Sequence, residues 1–274
     1  MNNIIFPIIV IYKCHLGEAE SFKTFIKPNG FKNYLVYDNS PTEYIQENIA
    51  SIYPQAIYVR DTSNKGLPAA YNLGAKKAKE LGYKRLLLLD QDTSFPPESL
   101  ELYLQSADYE GITAPLVKTK RNLPFSPCNP SAWKKTPKDM TPGEYSLKKY
   151  SVINSGLCIP THLFLEVGGY NPLVRLDFAD FQFQMRVAPV CDHLKILPMT
   201  AIQDFSSDCR DLKKNLIRFN LYLESARHCE FPGWREAISH QYSMLRHVIG
   251  LTVNTHSLIF FRKYFAIIIC RFKQ

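Results

Sequence analysis

The sequence predicts an α/β fold: a doubly wound, mostly parallel sheet flanked by helices, followed by amphipathic C-terminal helices. Three observations point to it. Short apolar runs recur through the first half, each bounded by polar or turn residues. A helical pattern lies between two of these runs. From Leu212 onward the chain reads as helix, aromatic-rich and basic.

In chain order, Pro7 to Tyr12 (PIIVIY), Tyr34 to Tyr37 (YLVY), Ala56 to Val59 (AIYV) and Arg85 to Leu89 (RLLLL) are the apolar runs. Runs without polar alternation suit strands buried on both faces of a parallel sheet. Between the third and fourth, Leu67 to Leu81 places Ala70, Leu73, Ala78 and Leu81 at helical spacing. Pro68 fits the first turn of that helix and Gly82 the position past its end. Residues 118–150 carry Pro124, Pro127, Pro130, Pro137 and Pro142 and predict a long irregular loop. Regular structure is expected again at Ser151 to Ile159, and a strand at Met199 to Gln203. The chain therefore divides into a body over 1–209 and a helical extension over 210–274.

The 274 residues are 46% apolar and 21% charged, which excludes a disordered chain, a collagen and a small disulfide scaffold. The net charge of +8 is concentrated. Residues 210–274 hold 11 Lys/Arg and 4 Asp/Glu, whereas residues 1–209 hold 22 and 21. The body shows neither a nucleic-acid recognition motif nor a basic patch, so no nucleic-acid partner is expected. The 7 cysteines are scattered without a C-x-x-C pair, which argues against a zinc site or disulfide framework and predicts a cytoplasmic location. Met1 to Tyr12 reads as a first strand, not a signal peptide. No apolar run reaches the ~20 residues that span a bilayer. The basic, amphipathic extension suits either peripheral contact with the anionic inner face of the membrane, or completion of the core or a dimer contact.

The sharpest motif is RLLLLDQDTSFPP, Arg85 to Pro97, in which an apolar strand ends in Asp90-Gln91-Asp92. Ligands of open α/β sheets bind outside the carboxyl ends of the strands. Two carboxylates there can hold a hard divalent cation bound to a diphosphate, or can cap the next helix. Upstream, NKGLPAAYNLG (Asn64 to Gly74, with Lys65, Gly66 and Asn72) opens a helix whose N-terminal amides favour anions. Tyr37-Asp38-Asn39-Ser40 ends the second strand, where an acidic residue suits a ribose or base edge, or else an Asx turn.

In order and spacing, the strand followed by DNS, then NKGLPAAYNLG, then LLLLDQD resemble the nucleotide-sugar-binding half of a family 2 glycosyltransferase, with the GT-A fold of inverting enzymes. DQDTSFPP is similar to the rhamnosyltransferase-like branch, which builds bacterial O-antigens and capsules. The likeness extends over roughly residues 5–205. It continues through Asn154-Ser155-Gly156, Phe164 to Tyr170 (FLEVGGY) and Leu176 to Arg186 (LDFADFQFQMR).

The resemblance implies a dTDP- or UDP-sugar donor at Tyr12, Asp38, Asn39, Lys65, Gly66, Asn72, Asp90, Gln91, Asn154, Ser155 and Gly156. It implies Mg²⁺ or Mn²⁺ on Asp92, with Asp204 where the family often has a histidine. It makes Asp180 the catalytic base. Arg186 would orient Asp180 or pack on its helix; Gln182 stands where a second acidic residue is common, so that supporting role is absent or taken over by Asp177. The acceptor would be lipid-linked or an oligosaccharide. Gln182 and the missing histidine keep a second reading open, a catalytically degenerate scaffold or carbohydrate-binding subunit. A nucleotidyltransferase is disfavoured, because Ile11 to Gly17 (IYKCHLG) lacks the Gly- and Arg/Lys-rich signature such enzymes carry near the first strand.

Overall fold

A computed structural model describes residues 3–129, 137, 140–204 and 212–271, the last five of them by backbone alone. Its first half matches the expected pattern. Strands β1 (Ile5–Ile11), β2 (Tyr34–Asp38), β3 (Ala56–Arg60) and β4 (Arg85–Asp90) lie in the order β3-β2-β1-β4, and every pairing is parallel. β1 and β2 are buried throughout, as unbroken apolar runs require, whereas β3 is the sheet edge and is only half-buried.

The crossovers of this half include the short helices α1 (Lys27–Asn29) and α2 (Ile49–Ile52) and the long α3 (Leu67–Glu80). α3 lays Ala70, Tyr71, Gly74, Ala75 and Ala78 against the sheet. At Gly74 an added Cβ would stand 2.3 Å from Ile8 Cδ1, so only glycine admits this close approach of helix and strand.

The second half departs from the expected parallel pattern. It comprises β5 (Thr93–Ser94), α4 (Ser99–Gln105), β6 (Ile112–Thr119), β7 (Pro124–Ser126), β8 (Gly143–Tyr145), β9 (Cys158–Pro160), α5 (Thr161–Glu166), α6 (Ala179–Val187) and β10 (Leu194–Gln203). The sheet continues β4-β9-β6-β10-β5. β9 runs antiparallel to both neighbours, and β6 pairs parallel with β10. The Pro-rich stretch 118–150 is therefore not wholly irregular: β6 ends in it, β7 folds back on β6, and β8 pairs with β10. Asn154-Ser155-Gly156 precedes β9. Gly156, at φ 87°, turns the chain directly into β9 and donates its N–H to Leu88 O at 2.9 Å. With no crossover helix before it, β9 enters antiparallel.

The extension forms three helices, α7 (Leu212–Arg227), α8 (Trp234–Thr255) and α9 (Ile259–Arg271). They share a core of their own, built from Phe219, Tyr222, Leu223, Met244, Val248 and Phe260, against which Phe178 of the body also packs. Among the described residues, no helix is long and apolar enough to cross a membrane.

Candidate active site

The strand order reverses between β1 and β4, so their carboxyl ends open a crevice. Tyr12 and Gln91 meet across it. The Tyr12 N–H donates to Gln91 Oε1 at 2.7 Å, and Tyr12 itself is largely exposed. Beside them Asp38 is fully buried. It accepts from Tyr58 Oη at 2.8 Å and from the Ser40 N–H at 2.8 Å, so the second strand does end in an Asx turn. Asn39 is buried with its Oδ1 unpartnered among the described residues.

The NKGLP turn is braced by Asp61, which accepts from Tyr37 Oη at 2.9 Å and from the Lys65 N–H at 2.9 Å. Lys65 is left exposed on this turn. Gly66 adopts φ 86°, and a Cβ there would lie 2.3 Å from the Arg175 carbonyl oxygen. Asn72 is engaged within the protein. Its side chain donates to Tyr170 O at 2.9 Å and accepts from the Tyr170 N–H at 2.8 Å, tying α3 to the turn after Gly168-Gly169.

At the end of β4 the two aspartates differ. Asp90 is gripped from both sides, by Ser155 Oγ at 2.5 Å and Tyr71 Oη at 3.2 Å. Burial raises its pKa against those two bonds. Asn154 is also buried and accepts from Tyr170 Oη at 2.5 Å. The N-S-G turn thus carries an aspartate lock, with Gly156 beneath it packed on Pro115 and Tyr103.

Asp92 follows the end of β4 and, among the described residues, has one side-chain partner, Gln203 Nε2 at 3.2 Å. Burial, then the Asp90 charge, push its pKa up to about 6. Asp204 lies alongside, its N–H donating to Asp92 O at 3.0 Å, but its carboxylate is ion-paired with Lys120 at 2.6 Å. Gln203 Oε1 and Thr93 Oγ1 are buried nearby and unpartnered among the described residues. No group of three or more His, Cys, Asp or Glu is assembled for a metal among the described residues. The donor set nevertheless fits Mg²⁺ or Mn²⁺. These ions take oxygen ligands, commonly one or two carboxylates with substrate phosphates and water, and among the described residues no cationic side chain pairs with Asp92.

Asp180 occupies the first turn of α6. Burial, assisted by the charges of Asp90 and Asp177, pushes it up to about 7, while the Phe181 N–H holds its Oδ1 at 2.9 Å. Asp90 therefore acts electrostatically on both Asp92 and Asp180. Asp177 is held by Arg218 of α7 at 2.8 Å. Arg186 does not orient Asp180. Its Nη2 donates to the Gly169 carbonyl, fixing the double-glycine turn. Gln182, at the second acidic position, is buried.

Tyr58, Asp61, Tyr71, Tyr170, Gln203 and Arg218 are absent from the sequence-based site. The only sequence signal for Asp61 was its place directly after a strand; the others depend on contacts between distant segments.

Residues 19–140 match the model of the family "Glycosyl transferase family 2", a span that includes Asp38, Lys65, Asp90 and Asp92 but not Asn154 or Asp180. No curated protein sequence matches the chain. Among solved structures, the chain is similar to S. aureus TarS 1-349 in complex with UDP, at 16% identity and TM-score 0.56, over 93% of this chain and 74% of that one. The complex of TarS 1-349 with UDP-GlcNAc matches at 16% identity and TM-score 0.53, over 93% and 75%. GalNAc-T7 with UDP, GalNAc and Mn²⁺ matches at 16% identity and TM-score 0.55, over 73% of this chain and only 44% of that one, so the chain spans less than half of it. At these identities the likeness is one of architecture, and the architecture is the GT-A glycosyltransferase fold.

Proposed function

We propose that this chain is an inverting, metal-dependent glycosyltransferase that moves a sugar from a nucleoside-diphosphate donor to an acceptor hydroxyl. One observation carries the reading. Asp90, locked at the end of β4 by Ser155 and Tyr71, raises by its charge the pKa of Asp92, two residues on, and of the buried Asp180 of α6, which is remote from it in sequence. The family match over the donor half and the UDP-bound structural neighbours support it.

In this reading the nucleotide lies over the ends of β1 and β2, near Tyr12 and Asn39. Asp38 acts through the turn it stabilises. Asp92 would hold the divalent cation, with Asp204 able to join it on release from Lys120. Such an ion, when bound, offsets the charge growing on the departing diphosphate. Asp180, as a carboxylate, takes the proton of the acceptor hydroxyl. The hydroxyl oxygen bonds to the anomeric carbon from the face opposite the diphosphate. The bond from that carbon to the diphosphate oxygen breaks, its electron pair leaves with the diphosphate, and configuration inverts.

We further propose UDP or dTDP as the nucleotide and rhamnose or another hexose as the sugar. The acceptor is a lipid-linked or oligosaccharide intermediate of a bacterial surface polysaccharide such as an O-antigen or capsule. This chemistry places the enzyme in the cytoplasm, peripheral to the membrane. These finer assignments rest on the motif resemblance.

The test is nucleoside-diphosphate release from UDP- and dTDP-sugars, with Mn²⁺ or Mg²⁺, by wild type, Asp92→Ala and Asp180→Asn. Release by wild type, lost in both variants, is expected. A folded wild type that binds and turns over none of them would replace this reading with the scaffold one.

A further inference from the structure

The 22-residue helix α8 buries one side, through His240, Met244 and Val248, against its own subdomain or the body. Its opposite side follows helical spacing through Arg235, Ile238, Tyr242, Arg246, Ile249 and Val253, all exposed. A solvent-facing stripe normally carries mixed charge. This one alternates bulky apolar residues with two arginines and contains no acid. Val253 is 63% exposed, and at the N-terminal end Trp234 is 69% exposed beneath the Arg235 guanidinium, 5.4 Å from its ring centroid. The combination recurs beside it: Leu258, Arg262 and Phe265, at the start of and within α9, are exposed at helical spacing.

Charge decides the occupant. A two-fold contact between copies of this chain would set two patches that each carry arginines and no acid against one another. An anionic lipid surface complements both features: the apolar side chains enter the acyl boundary and the arginines meet headgroup phosphates. A terminal Trp beside Arg suits the interfacial layer. With no helix able to cross a bilayer among the described residues, the fitting mode is a helix lying in the interface plane.

We propose that the outward stripe of α8 docks the protein on anionic membrane, with Trp234 entering the interface. This narrows the peripheral location to one helix face. It stands on the exposure and charge of α8, independently of the sugar-transfer reading.

The test uses the full chain in a Trp133→Phe background, which leaves Trp234 as the reporter. Flotation with vesicles of phosphatidylcholine alone, or with about one third phosphatidylglycerol, is read together with Trp234 emission. Binding to the anionic vesicles with a blue shift of Trp234 is expected. Ile249→Glu with Val253→Glu should abolish both. Arg235→Gln with Arg246→Gln should weaken partitioning at least about tenfold. Nucleotide binding and melting temperature, unchanged in each variant, show that the body is intact. Absence of vesicle binding by wild type, or binding undiminished in both folded variants, would overturn the proposal. So would a concentration-dependent dimer that Ile249→Glu with Val253→Glu dissolves, because a second copy would then cover the stripe.

Discussion

Arg218 of α7 grips Asp177 at 2.8 Å, three residues ahead of Asp180, so the C-terminal helices hold the segment that presents the proposed base. Phe178, in the left-handed region at φ 68°, packs on Tyr222 and His240 of the same helices. The helical extension is thus a support for the site.

Arg218→Ala should act on catalysis more than on folding. The pair is partly exposed, so its loss costs within about 1 kcal/mol of stability. Misplacing the base is expected to lower kcat by about 3- to 100-fold with the donor KM little changed. Steady-state kinetics beside calorimetry separate the two effects.

The pH dependence follows from Asp180. As a base it must be ionised, so kcat/KM should rise with pH and reach half its plateau near the site's value of about 7. Asp180→Asn should lose about 10²- to 10⁴-fold in rate. Stability moves the other way. The folded value lies above the unfolded 3.8, so the native state holds more protons between the two values and loses stability as pH rises through about 7. Asp180→Asn is therefore expected to melt higher than wild type at pH 8, an activity-for-stability exchange visible by scanning calorimetry.

Mn²⁺ should raise the melting temperature of wild type and leave Asp92→Ala unmoved. At ~100 times its dissociation constant a bound ion adds about 2.7 kcal/mol. Because protons compete for Asp92, the shift should shrink below about pH 6. Thermal melts across a pH series check this.

Gly66→Ala should destabilise by about 1–3 kcal/mol, since a side chain at φ 86° is strained and would strike the Arg175 carbonyl. Gly250→Ala in α8, with open space around it, is the control and should gain about 0.5–1 kcal/mol. Denaturant midpoints read both.

The sequence revealed the parallel half because unbroken apolar runs and a Pro-to-Gly helix frame mark buried strands and crossovers locally. β9 escaped it because Cys158–Pro160 is too short for a pattern, and its antiparallel entry depends on the turn at Gly156. At the site, Asp92 and Asp180 stood in legible motifs. The Ser155–Asp90–Tyr71 lock, the engagement of Asn72 with Tyr170 and the turn-fixing role of Arg186 arise from packing between remote segments, which spacing does not encode.

The most direct measurement is a calorimetric titration of UDP and dTDP into wild type and Asp92→Ala, with and without Mn²⁺. One nucleotide binding wild type only with the ion, and Asp92→Ala in neither condition, is the predicted result. Equal binding without the ion, equal binding by Asp92→Ala, or none by the folded wild type would contradict a metal-bridged nucleotide-sugar site at the end of β4.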